Sequence, residues 1–198
     1  MKVGIFSVLF QDKSFEEMLD YVANAGVEMI EIGTGGNPGN QFCPLDELLN
    51  DEQARKAYLN KITSRGLEIS ALSCHNNPIS PNQQEADTAH DTLYKTIKLA
   101  ALLDVPVVNT FSGIAGADDE AKHPNWPVTP WPTVYSEIYD WQWHEKTHSI
   151  LERSCKLCSI AKCEDRYRIT CWILSTYTLY FTETKRGNWG RDRCEFRS

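Results

Sequence analysis

Short runs dense in valine, isoleucine and phenylalanine alternate with helix-length amphipathic segments along the first 111 residues. "KVGIFSVLF" (2–10), "VEMIEIG" (27–33), "LEISALS" (67–73) and "VPVVNTF" (105–111) are each short enough, and apolar enough, to be strands buried on both faces. Between them lie three predicted helices. The first opens with Ser14 and Glu17, spaced as a capping box, turns Phe15, Met18, Leu19 and Val22 to one face, and stops at Gly26. The second runs through "DEQARKAYLNKITSRG" to Gly66. The third opens on Asn82 and Glu85 and aligns Ala86, Ala89, Leu93, Ile97 and Ala100. Strands separated by helices of this length form βαβ units, and right-handed crossovers then impose a parallel sheet.

The loops that follow the second, third and fourth strands are long and polar, whereas those that follow the helices are tight. A (β/α) barrel has that asymmetry, because its functional face is built from the βα loops. A doubly wound open sheet is the alternative. A nucleotide-binding version of it is disfavoured, since "FSVLFQDKS" offers no glycine where a phosphate-cradling first turn needs it.

The βα loops hold the candidate site residues. Glu31 lies near the carboxyl end of the second strand, where a carboxylate either faces a pocket or pairs with a neighbouring cation. His75, with Asn76 and Asn77 beside it, follows the third strand, at a place suited to a ligand or an acid–base group. Asn109 and Ser112 close the fourth strand, and Gly113 permits close backbone approach. Trp126 and Trp131 stand in the proline-stiffened "HPNWPVTPWPTVY", as plates against a sugar ring or as a cover over the barrel mouth.

Charge divides the chain. Residues 1–146 carry 10 basic and 21 acidic side chains, a balance of −11, and residues 147–198 carry 10 and 6, a balance of +4. The acidic main part argues against a phosphate-backbone partner, so no nucleic acid is expected. No stretch reaches the length of a membrane span and no cleavable leader is visible. Only Cys43 and Cys74 of the seven cysteines fall before residue 147, which suits a reducing compartment and a cytoplasmic location.

"GVEMIEIGTGG", "ISALSCHNNPISPN", "VVNTFSG" and "PNWPVTPWPTVYSEIYDWQWHEK", in this order, resemble the xylose isomerase-like TIM-barrel family of sugar and sugar-phosphate isomerases and epimerases. The resemblance covers residues 1–146 and implies the N-terminal half of a (β/α)8 barrel, about four βα units. It implies a small sugar or sugar phosphate as substrate. It also implies, for the intact family, a divalent ion (Mn, Mg, Co or Zn) held by Glu, Asp, His and Glu of later strands, with carboxylates moving a proton through an enediolate. On this footing Glu31, His75, Asn76, Asn109, Trp126 and Trp131 are substrate-pocket groups. His75 matches the zinc-binding histidine of the related phosphodiester-cleaving barrels, so it could reach a metal. Those relatives carry a further histidine after the next strand, where this chain has Phe111 and Ser112, which disfavours an abasic-site nuclease.

Residues 147–198 depart from that pattern. Cys155, Cys158, Cys163 and Cys171 could supply four thiolates to zinc, but their spacing matches no pair of knuckles. A second account is a one-nucleotide gain in the adenine run of the Glu145 and Lys146 codons. Dropping one base lets the remainder be re-read as "LIPYWKEAA", then a strand ending "IELH", then "LREATGEEIGANLDP", the helices and metal-ligand strands expected next. On that account residues 147–198 are an out-of-frame, poorly ordered tail. "TCWILSTYTLYFT" would be an exposed β-prone run, the outer edges of the first and fourth strands would lack partners, and no metal would be bound. The chain would be a weakly active or inactive fragment.

Overall fold

The computed structural model describes residues 1–160 and 168–172, the backbone alone being described for 155–160 and 168–172. Its elements are β1 (Gly4–Phe6), α1 (Phe15–Asn24), β2 (Met29–Gly36), α2 (Leu45–Asn50), α3 (Glu52–Thr63), β3 (Glu68–His75), α4 (Gln83–Leu103), β4 (Val107–Phe111), α5 (Val134–Trp141), α6 (His148–Ile160) and β5 (Arg168–Trp172). All strands are parallel, in the order β1-β2-β3-β4-β5, so each crossover returns to the adjacent position, as in a barrel wall. No helix among the described residues is long and apolar enough to cross a membrane.

Local chemistry explains the helix starts. Ser14 and Glu17 form the reciprocal capping box, satisfying two orphan amides at the start of α1. Asn82 Oδ1 accepts from the Gln84 and Glu85 amides, but Glu85 Oε2 accepts from Ser80 Oγ at 2.6 Å instead of reaching back, so only half of the second box forms. The short α2 was not expected from the sequence. It precedes α3, which Asp51 caps.

Two strand expectations change. The first strand ends at Phe6, and Ser7–Phe10 coil into a 3-10 turn. Ser7 Oγ there accepts the Gly33 amide at 3.2 Å, so a side chain takes over the pairing that a longer β1 would supply. The outer edge of β4 has a partner: Val107–Phe111 pairs in register with Arg168–Trp172. A free strand edge presents unpaired N–H and C=O groups, and any short run of β-formers can satisfy them through its backbone. Of "TCWILSTYTLYFT" only residues 170–172 are described; the rest, with Cys163, lies outside the described residues.

The sheet has two unlike faces because side chains alternate. Ile30, Ile32, Leu72, Cys74 and Val108 point toward the helices and join Met18, Leu19, Val22, Ile62, Leu93 and Ile97 in one buried core. Each such aliphatic side chain contributes about 1.5–3 kcal/mol on burial. Thr34 Oγ1 bonds the Ser73 carbonyl at 3.1 Å and lies 2.8 Å from Thr96 Oγ1, tying β2, β3 and α4 together inside that core. The opposite face, which in a closed barrel is the lumen, bears Glu31, Ser73, His75, Asn109 and Phe111.

Both cysteines of the αβ part are buried free thiols. Burial pushes Cys43 up to about 12, against a hydrogen bond with Tyr58, and Cys74 up to about 11, against Thr110 and Thr96. Peptide mapping after iodoacetamide treatment is expected to find Cys43 and Cys74 unlabelled in the native chain and labelled only in denaturant. Native labelling of either would contradict this packing.

Candidate functional site

Register sets the site. Ser73 pairs with Asn109 across β3 and β4, and Glu31 sits beside Ala71 across β2 and β3. Glu31, Ser73 and Asn109 therefore form a row across three strands on the lumen face. Glu31 Oε1 accepts a hydrogen bond from Ser73 Oγ and another from Asn109 Nδ2 at 2.9 Å. Of the two readings left open for this carboxylate, pairing with a lysine or arginine is not met among the described residues. Two neutral donors orient it, and half-burial leaves it reachable.

His75 lies one step further toward the carboxyl end. Its ring stacks on Phe111 at 4.4 Å and meets Phe6 edge-on at 6.1 Å. Burial lowers its pKa from the ordinary 6.5, while the Glu31 carboxylate pulls the other way, so the imidazole is neutral at pH 7. Among the described residues its buried Nε2 has no hydrogen-bond partner, and neither has the buried Ser112 Oγ. Buried polar atoms without partners are rare, and each calls for a ligand, a water or a functional reason.

The lowered His75 pKa has a pH consequence. The unfolded chain binds a proton at higher pH than the folded one, so stability rises with pH across that window. It is fully present above about 6.5 and declines as pH falls toward the lower folded value. Urea unfolding between about pH 7.5 and about pH 5.5 is expected to lose stability in the native chain, with a smaller loss in His75→Phe. Equal slopes would refute this account.

The remaining candidates divide. Asn77, noted beside His75, spends both ends of its amide on one residue: Oδ1 accepts the Ile114 amide at 2.8 Å and Nδ2 donates to the Ile114 carbonyl at 2.9 Å. Gly113, at φ +90°, fits against it because a Cβ there would strike Asn77 Oδ1 and meet Ile79 Cγ1 at 2.9 Å. Asn76 packs its side chain against Gly36 at the end of β2. Trp126, about half exposed, lines a small cavity of about 30 Å3 with Gly113 and Ile114, whereas Trp131 is 76% exposed and bonds within its own loop. No ring contact or hydrogen bond joins either tryptophan to Glu31 or His75 among the described residues. Sequence reasoning missed Ser73, although its place two residues before His75 on one strand marks the same face. It also missed Gln142, for which only an amide between two tryptophans could have hinted.

No three of His, Cys, Asp and Glu converge among the described residues. A divalent ion held by protein groups alone takes about three or more donors. Glu31 and His75 supply two at most, and Phe111, stacked on the His75 ring, offers no donor. The described donors therefore do not fit a metal by themselves. Cys163 of the suggested thiolate set lies outside the described residues, and the other three are described in backbone only.

A parallel βα wall whose strands follow in chain order with no switch point, and whose polar residues gather at the carboxyl ends, has the layout of a TIM-barrel-type protein rather than a doubly wound sheet. Residues 19–162 match the family described as xylose isomerase-like TIM barrel, and the chain belongs to that family. The match runs past Lys146, where the composition changes. The chain is 35% identical over 134 residues to the uncharacterized protein YfiH of Bacillus subtilis (strain 168), an alignment covering 66% of this chain and 42% of that protein. Its fold is similar to that of D-psicose 3-epimerase from Clostridium cellulolyticum H10, solved with D-tagatose (TM-score 0.54, 15% identity, 91% of this chain and 55% of that one). It is also similar to 3-keto-D-glucoside 4-epimerase YcjR from E. coli (TM-score 0.53, 12% identity, 90% and 58%). The chain thus spans only about half of these relatives' length.

Proposed function

We propose that this chain carries the N-terminal half of a sugar or sugar-phosphate isomerase/epimerase barrel, with Glu31, Ser73, Asn109 and His75 forming part of the floor that receives the sugar. The observation that carries this reading is the oriented carboxylate of Glu31 beside a neutral imidazole whose Nε2 lacks a partner, both on the lumen face. A polyhydroxy carbonyl compound complements that pair. Its hydroxyls donate to the free lone pairs of Glu31, and one of them pairs with His75 Nε2. Ser73 and Asn109 hold the carboxylate still, so little freedom is lost on binding. Asn76, Trp126 and Trp131 belong to the rim in this reading.

The reaction class is removal of a proton from the carbon beside a carbonyl and its return to the other face or to the neighbouring carbon, through an enediolate. In the intact family a divalent ion polarises the sugar oxygens; this chain's described residues bind and orient, and supply neither that ion's full shell nor the second carboxylate base. The reading extends to the cytoplasm, consistent with two buried free thiols, and to an out-of-frame origin for residues 147–198, supported by their change of charge and by the re-reading that a back-translation with one base dropped allows.

Titration of the chain with aldoses, ketohexoses and their phosphates, followed by saturation-transfer NMR, is the test. Binding is expected in the millimolar range, about −4 kcal/mol. Glu31→Leu should weaken it about tenfold or more, the worth of a hydrogen bond to a charged group. If no member of the panel binds, the reading fails.

A further inference from the structure

Between α5 and α6 the chain widens into a π-helical segment, Gln142–Thr147. Its longer repeat places Gln142 and Thr147, five apart, on one buried face. Gln142 Nε2 lies 3.2 Å from the Ala115 carbonyl oxygen, 2.8 Å from that of Gly116 and 2.7 Å from that of Asn125. The Asn125 amide also donates to the Ala115 carbonyl, at 2.8 Å. One side-chain nitrogen, with two protons for three acceptors, thus closes the neck of the loop that follows β4. Lys146, from the same segment, pairs with Asp119 within that loop.

Both ends of this loop lead to the candidate site. Upstream stand Ser112, with its partnerless hydroxyl, and Gly113, interlocked with Asn77. Downstream, Trp126 follows Asn125 directly and returns to Gly113 across the small cavity. A cavity of about 30 Å3 has room for a water, not a sugar ring. Gln142 therefore does not meet a sugar itself; its place is behind the groups that would.

We propose that Gln142 is a positioning residue for the sugar pocket: by gathering the carbonyls of Ala115, Gly116 and Asn125 it sets Ser112, Gly113 and Trp126 at the carboxyl end of β4. The inference rests on the reading of this face as a sugar site. Gln142→Glu replaces the donor by an oxygen among three carbonyl oxygens, and Gln142→Met keeps the shape and removes the donor altogether.

The test compares the full-length native chain with both variants in two measurements: saturation-transfer titration with the best-bound ketohexose or aldose, and amide exchange by mass spectrometry. In both variants, exchange over 113–126 should accelerate at least about tenfold while α1–α4 keep their protection. Sugar affinity should fall about tenfold, and Trp126→Phe should cost affinity in the native background but add nothing on Gln142→Met. Loosened exchange with unchanged affinity overturns the proposal, as does unchanged exchange over 113–126. If both Gln142 variants unfold, Lys146→Met opens the second grip from a partly exposed side chain and is held to the same outcomes. Native chain that binds no sugar refutes the underlying reading instead, whatever the variants do.

Discussion

On the proposed out-of-frame origin of residues 147–198, restoring the frame at codons 145–146 is expected to raise proton exchange at the carbon beside the sugar carbonyl by about a thousandfold, the combined worth of a general base and its electrostatic partner. The expectation follows from what the described residues lack. Glu31 is held through one oxygen by Ser73 and Asn109, His75 is packed between Phe6 and Phe111, and among the described residues no third acidic, histidine or cysteine donor joins them. Binding groups without a base lower the energy of bound sugar and of the transition state alike, which leaves turnover slow. On that proposal the restored frame would add the "IELH" strand next to β4, and with it the first of the missing carboxylates. Incorporation of deuterium from D2O into a ketohexose, read by mass spectrometry for both proteins with added Mn, Mg, Co or Zn, is the measurement. Equal rates would show that the residues after Lys146 are not what limits this chain, and the out-of-frame account would fall.

Gly36→Ala is expected to cost about 3 kcal/mol or more, a large part of the 5–15 kcal/mol that holds a typical domain folded. Gly36 ends β2 at φ +70°, a left-handed conformation that costs an alanine about 1–2 kcal/mol by itself. A Cβ there would also stand 2.5 Å from the His75 carbonyl oxygen and 2.7 Å from its carbon, besides striking Asn76 Oδ1. Those are backbone atoms of the register partner on β3, and the same carbonyl accepts the Asn37 amide at 3.0 Å, so relief requires breaking the ladder beside His75. Gly39 is the internal control. Its φ of +68° is nearly the same, but nothing lies within 4 Å of its hypothetical Cβ, so Gly39→Ala should cost the left-handed penalty alone. Urea midpoints of the two variants separate conformational from steric cost, and indistinguishable midpoints would refute the close approach of β2 to His75.

Much of the wall was legible because the signals are local. The Ser14–Glu17 box, the apolar face of α4 and the glycine stops depend on residues within a few positions of one another, and the physics that reads them is short-ranged. Strand ends were less legible. Whether the segment after Phe6 continues as strand or coils depends on Ser7 meeting Gly33, a partner distant in sequence. The edge of β4 depended likewise on a partner far along the chain, and Arg168–Trp172 fill it through backbone bonding that asks little of the side chains.

The candidate site shows the same division. Glu31, His75 and Asn109 could be named from sequence, because a polar residue at the end of an apolar strand is conspicuous. Their partners could not. Asn77 reads as a hydrogen-bonder toward the site, yet Ile114 takes both ends of its amide, and Ser73 is one residue of the "LEISALS" strand until the register sets it beside Asn109 and Glu31.

From sequence alone, the alternation of apolar runs and amphipathic helices determined a parallel βα wall with its polar loops on one side, since periodicity and capping are properties of neighbouring residues. Only the tertiary structure decided that, among the described residues, Glu31 answers to two neutral donors rather than a cation, that His75 Nε2 is left without a partner there, and that Gln142 holds the loop after β4. Each of those outcomes depends on which strand lies beside which and in what register. That pairing is set by the packing of the whole sheet against its helices, and no short stretch of residues encodes it.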